Sequence, residues 1–130
     1  LTLLDTAGEV LRPAILWCDQ RTQPQVDALN RTIGADRILA SIANPMLTGF
    51  TLPKLLWVRD HEPENFARIR RVLLPKDYVR LRLTGEHASD VADASGTGLF
   101  DVRRRRWSAE LAERAGVPLE WLPRVYESPE

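Results

Sequence analysis

Short apolar runs separated by polar turns set the first outline. Leu1 to Asp5 and Val10 to Trp17 are strand-like runs joined across a turn containing Gly8, the pattern of a β-hairpin. From Thr22 to about Ile33 the apolar positions Val26, Leu29 and Ile33 recur at helical spacing and Gly34 stands where a helix stops. A short helix over Asp36 to Ile42 follows. Thr51 is placed to cap the next helix, with Pro53 in its first turn and Leu52, Leu55 and Leu56 forming an apolar stripe beside Trp57. That stripe predicts burial on one side.

Pro63 opens a segment whose Phe66 and Ile69 face inward, and Pro75 opens a helix carrying Tyr78, Val79 and Leu83 up to Gly85. His87 to Ser89 breaks the helical pattern. Val91 to Val102 reads as a strand rich in small residues, implying close backbone packing at Ala92, Ala94, Gly96 and Gly98. Ser108 caps a last helix that ends at Gly116 and Pro118, before a turn with Trp121 and Leu122. Strands and helices thus mix along the chain, and an α/β domain is expected. Its beginning inside a strand-like run and its polar end, Glu127 to Glu130, predict a segment of a longer polypeptide.

Composition narrows the function classes. At 130 residues and 44% hydrophobic content, the chain is long enough for one core. Its 18 basic and 18 acidic residues cancel, so no overall field draws it to nucleic acid or to an anionic membrane. The single cysteine, Cys18, excludes an internal disulfide and a cysteine-based zinc site, and points to a cytoplasmic setting. No apolar run approaches the length of a bilayer span.

Candidate chemistry gathers where the second strand-like run ends. In ILWCDQRT, Ile15 to Thr22, an apolar run leads directly into Trp17, Asp19 and Arg21. One reading puts Trp17 in the core with an Asp19–Arg21 pair capping the helix at Thr22. The other uses the indole as an apolar wall for a sugar and the charged pair for its hydroxyls. The residues alone favour the first. Elsewhere they favour a Lys54 that snorkels to solvent, a structural Lys76–Asp77 pair in the first turn of a helix, and surface positions for His61 and His87. DASGTG, Asp93 to Gly98, lacks the Walker spacing, and Arg103 to Arg106 reads as a solvated turn.

Longer stretches carry a resemblance. PAILWCDQRT (Pro13 to Thr22), TGFTLPKLLWVRDHEPE (Thr48 to Glu64), LLPKDYVRLRLTGE (Leu73 to Glu86) and SDVADASGTGLFDVRRRRWS (Ser89 to Ser108) resemble, in this order, the FGGY carbohydrate kinases. Gly49 to His61 is similar to that family's first signature, including Lys54 and Trp57. The LLPKDYVR and DASGTGLFDV wording is closest to the members that convert D-xylulose to D-xylulose 5-phosphate.

The resemblance implies that residues 1–130 are part of the first, sugar-binding lobe of an actin-like, ribonuclease-H-like ATPase domain. ATP and Mg2+ would be used by the parent enzyme and neither bound by this segment alone. The implied partners are a pentulose and the remainder of the kinase chain, with a homodimer of the parent possible and neither nucleic acid nor membrane involved. Trp17, Asp19 and Arg21 are the implied substrate-binding residues. The catalytic aspartate and the phosphate-binding hairpin are expected outside this stretch, so the segment alone should be inactive. Gly49 lies where glycerol kinases carry a tyrosine, and the missing side chain would leave room for a longer sugar. Ribulose, gluconate and glycerol are alternative substrates, and a non-catalytic binding module is the alternative class. Severed from its neighbours, such a segment should expose apolar sheet edges and helix faces.

Overall fold

The computed structural model describes residues 1–129. Its elements run β1 (Thr2–Leu4), α1 (Gln23–Leu29), a π-helical turn (Asn30–Gly34), α2 (Ala35–Ile42), α3 (Thr51–His61), α4 (Pro63–Arg68), β2 (Arg71–Leu73) and α5 (Pro75–Thr84). After these come β3 (Ala88–Asp90), α6 (Val91–Ala94), β4 (Phe100–Asp101), β5 (Arg106–Trp107), α7 (Ala109–Ala115), a 3₁₀ turn (Leu119–Trp121) and β6 (Arg124–Tyr126). Among the described residues the strands pair two by two: β1 with β2 and β4 with β5 antiparallel, β3 with β6 parallel. The polar tail predicted from the sequence ends on Glu130, which lies outside the described residues.

The first expected hairpin forms only in part. Leu4 bridges Val10, and the amides of Leu11 and Ile15 donate to the carbonyls of Leu3 and Leu1 at 2.9 and 3.1 Å. The Val10 to Trp17 run is nevertheless not a strand, because Pro13 has no N–H to give a continuous ladder. The regular partner of β1 is instead β2, with Leu3 opposite Val72.

The small-residue strand expected over Val91 to Val102 is replaced by α6, a turn and then β4. Ala92 and Ala94 are strong helix formers, and Gly98 sits at φ 80° in a turn that a strand cannot contain. Close packing, the physical content of that expectation, is present: a Cβ on Gly98 would lie 2.9 Å from Met46 Sδ and 3.3 Å from Leu52 Cβ.

Helix α3 is the centre of the core. The expectation of one buried side understates it, since every residue from Thr51 to Leu56, and Val58, is buried. Leu52 and Leu55 pack with Leu3, Ile15, Ile38 and Leu99, each such side chain contributing about 1.5–3 kcal/mol on removal from water. Thr51 is the first helical residue rather than the cap, and Phe50 occupies the cap position without a side-chain hydrogen bond. The Leu52 amide is taken up by the Thr97 carbonyl at 2.8 Å, so the turn after α6 satisfies the start of α3. Phe66 and Ile69 face inward as their spacing predicts, Ser108 caps α7 by accepting from the Leu111 amide, and Arg103 to Arg105 form the exposed turn between β4 and β5.

Candidate functional site

The chain leaves the core at Ile15, which is fully buried, and turns sharply so that the Asp19 amide donates to the Leu16 carbonyl at 3.2 Å. Trp17 lies on the outside of that turn and is 82% exposed. The core position favoured for it from the residues alone is therefore wrong. The apolar interior is already filled by α3 and its neighbours, and an indole held out in solvent costs free energy unless something else covers it.

Asp19 and Arg21 do pair, and closely. Arg21 Nε donates to Asp19 Oδ1 at 2.9 Å and Nη2 to Oδ2 at 2.7 Å, a bidentate arrangement. The Asp19 carboxyl also accepts the Arg21 amide at 3.0 Å. These bonds, the side-chain bond first, hold the Asp19 pKa down to about 2. The guanidinium lies over the Trp57 ring, 4.7 Å from its centroid, and Trp57 stacks in turn on His61 at 4.4 Å. The pair stiffens the turn and does not cap α1: Thr22, next in line, gives its hydroxyl to the Thr48 carbonyl at 2.9 Å.

A second segment closes the site. Thr48 donates its hydroxyl to Gln20 Oε1 at 2.5 Å, which ties the turn at residues 17–22 to the approach to α3. Lys54, expected to snorkel, is only 2% exposed and donates to the Gly49 carbonyl at 2.6 Å. Its surroundings explain the difference, because the side chain runs back across the first turn of a helix buried on nearly every side. Burial lowers the Lys54 pKa, against the attraction of Asp19 and Cys18. Gly49 itself touches the turn, and a Cβ there would lie 2.9 Å from the Trp17 carbonyl oxygen. The room that the missing side chain was expected to leave is, in that direction, occupied by the Trp17 backbone.

Together these segments form an open cleft of about 460 Å³ walled by Trp17, Gln20, Leu47, Gly49, Phe50 and Gly96 among others. Trp17 reaches it. Asp19 and Arg21, joined to each other, stand behind the turn and do not line it. Gln20, Leu47, Thr48, Phe50 and Gly96 line this cleft, and the sequence did not single them out as candidates. The sequence signal for them is weak: only the glycines hinted at close approach, and contacts between residues 20 and 48 or 17 and 49 depend on tertiary folding.

A larger cleft, about 740 Å³, opens around Lys76. Lys76 Nζ reaches Asp77 at 2.6 Å, Asp90 at 2.9 Å and Asp93 at 3.3 Å. Burial opposes the Lys76 charge, but hydrogen bonds to Asp77 and Asp90 outweigh it and raise the pKa. A bond from Ser128, then Lys76, takes Asp90 from the ordinary 3.8 to about 2. With the folded value depressed, the stabilisation is complete above 3.8 and is lost as pH falls towards about 2. Asp90→Asn should accordingly flatten the acid limb of the stability curve, measured by urea unfolding between these limits and neutrality. An unchanged slope would show that the native contacts leave this carboxylate unstabilised. His87, expected on the surface, is half-buried, and burial with the nearby Arg71 lowers its pKa.

Of the two clefts, the Trp17 cleft has the chemistry of a sugar site, with one exposed aromatic plane beside small residues and amide and hydroxyl groups. The description of the N-terminal domain of the FGGY family of carbohydrate kinases fits residues 1–130 throughout. The chain belongs to this family. As an FGGY chain it is 48% identical to the xylulose kinase of Escherichia coli (strain K12) over 129 residues, covering 99% of this chain and 26% of that one. Its fold matches a crystal structure of a xyloylose kinase from Brucella ovis with a TM-score of 0.93 at 46% identity, over 99% of this chain and 26% of the other. It also matches a gluconate kinase from Lactobacillus acidophilus with a TM-score of 0.91 at 26% identity, again over 99% and 26%. The expected actin-like ATPase architecture is therefore the one observed. The chain spans about a quarter of the length of these relatives, 26% in each case.

Proposed function

We propose that this chain forms the sugar-binding part of an ATP-dependent kinase whose substrate is D-xylulose and whose product is D-xylulose 5-phosphate. The observation that carries the reading is the solvent-held indole of Trp17 over a cleft with glycine walls, in a chain 48% identical to a xylulose kinase. Trp17 supplies the apolar wall for the carbon face of the sugar. Asp19 and Arg21 act through the turn that carries it, while Gln20 and Thr48 line the cleft and supply its amide and hydroxyl groups. Phosphoryl transfer rests on positioning and on electrostatic stabilisation of ATP and metal. No group of three or more His, Cys, Asp or Glu among the described residues is arranged to hold a metal ion, and the carboxylates around Lys76 already converge on its ammonium. These residues do not fit Mg2+. The catalytic base and the phosphate-binding hairpin belong to the remaining polypeptide, and residues 1–130 form part of the first of its two lobes. No helix among the described residues is long and apolar enough to cross a membrane.

The test is ATP consumption by the full-length protein with xylulose, ribulose, gluconate and glycerol, alongside Trp17→Ala and Asp19→Asn. Xylulose should be preferred. Trp17→Ala should raise its KM about tenfold or more, equivalent to about 1.4 kcal/mol of binding, with little change in unfolding temperature. Asp19→Asn should weaken xylulose use in the same direction. The 130-residue chain alone should consume no ATP. Preference for another polyol would remove the xylulose assignment, and a folded full-length protein without ATP consumption would leave the binding-module reading.

A further inference from the structure

Trp17 has few contacts of its own. With 82% of its surface exposed, the place of its indole is set by the backbone of residues 12–21 beneath it. That segment is pinned at its middle by Ile15 in the core, and its two ends close on a single ring. The Arg12 guanidinium lies 5.9 Å from the centroid of Trp57, and that of Arg21 lies 4.7 Å from it. Trp57 stands on α3 between the buried Leu56 and Val58, is itself half-buried, and lines no part of the Trp17 cleft. His61, one turn on, stacks on the ring at an interplanar angle of 11° and backs it.

Two cations brought to one ring repel each other unless each carries its own counter-charge. Both do. Arg21 is paired bidentately with Asp19, and Arg12 Nε donates to Glu62 Oε2 at 2.8 Å. Asn65 Nδ2 donates to the same oxygen at 2.8 Å. Burial opposes the Glu62 charge, but hydrogen bonds from Asn65 and Arg12 and the charges of Arg12 and Arg21 outweigh it and lower the pKa. Arg12 also gives Nη1 to the Pro13 carbonyl, which ties its head to the start of the segment. Trp57 packs against the core as well, but a leucine would do that. Only a flat π face takes up two guanidinium groups.

We propose that Trp57 is a positioning residue for the sugar site, a clasp that gathers both ends of residues 12–21 through Arg12 and Arg21 and so fixes where the Trp17 indole stands. It touches no substrate. The inference rests on the reading of the Trp17 cleft as the sugar site and adds the residue that sets its geometry.

The test is a double-mutant cycle in the full-length protein, with the KM for xylulose read for Trp57→Leu, Trp17→Ala and the two combined. Trp57→Leu should raise KM about fivefold, and Trp57→Phe, which keeps a flat face, should recover most of the loss. Added to Trp17→Ala, Trp57→Leu should change KM by less than about twofold, because the indole it positions is already gone. A residue that only supports folding would contribute the same factor in both backgrounds, and that result would overturn the proposal. Arg12→Lys keeps the charge for Glu62 but loses the flat head, and should raise KM roughly twofold without any change at Trp57. Hydrogen exchange without sugar reads the clasp itself. The amides of Asp19 and Arg21, bonded within the turn at 3.2 and 3.0 Å, should exchange several-fold faster in Trp57→Leu, with those of Leu55 and Leu56 unchanged. Exchange at the wild-type rate would overturn the clasp whatever the sugar. A KM unmoved by Trp17→Ala would instead remove the sugar reading and leave the exchange rates to decide the clasp, so the two failures are told apart.

Discussion

Gly98→Ala should destabilise the chain by about 2–5 kcal/mol, measured by urea or thermal unfolding. Two costs combine. At φ 80° an L-residue costs about 1–2 kcal/mol in backbone strain. The new methyl also meets Met46 Sδ at 2.9 Å and Leu52 Cβ at 3.3 Å, and overpacking of this kind typically costs about 1–3 kcal/mol. The methionine can swing aside. Leu52 cannot, because it is fully buried in α3 and its amide is bonded to the neighbouring Thr97 carbonyl at 2.8 Å. Gly85→Ala is the matched control: its φ is 79°, yet nothing lies within 4 Å of the added methyl, so only the strain remains. Equal losses for the two variants would mean that Met46 and Leu52 yield freely and that the tight packing at Gly98 is not a constraint.

The same residue shows how far the sequence can be read. Small residues at Ala92, Ala94, Gly96 and Gly98 correctly implied close backbone approach, but the strand inferred from them is a short helix and a turn. Composition reports how near two chains come; it does not report which dihedral angles bring them there. Helices with clear stops, such as α5 before Gly85 and α7 before Gly116, were legible because a glycine in the left-handed region ends each one. Strands of two or three residues were not, since β3 and β6 are too short to show alternation and their pairing joins residues far apart in sequence.

The candidate site was legible to a similar depth. The motif around Trp17 was found, and the Asp19–Arg21 pair is real. Whether Trp17 points inward or outward depends on what α3 already fills, and that is a property of the packed core. For the same reason Lys54 was misjudged: an amphipathic stripe suggests an outer side to the helix, and the fold supplies almost none.

The second large effect is expected at Gly49. In the full-length enzyme Gly49→Ala should reduce kcat/KM for the sugar on the order of a hundredfold, the scale associated with a displacement of about 1 Å at a binding site. The added Cβ lies 2.9 Å from the Trp17 carbonyl oxygen, a backbone atom, so one of the two segments has to move. Gly49 is poorly able to do so. Its carbonyl accepts from the buried Lys54 ammonium at 2.6 Å, and pulling it away would leave that charge without its acceptor. The turn at Trp17 is the softer side, being anchored by the Thr48–Gln20 and Thr22–Thr48 bonds but exposed at the indole. The substitution should therefore displace the aromatic wall while costing about 1–3 kcal/mol of stability, whereas Trp17→Ala removes the wall with little change in stability. Steady-state kinetics beside thermal unfolding separates the two variants. If Gly49→Ala lost stability but kept its kcat/KM, the Trp17 turn would not be part of the sugar site.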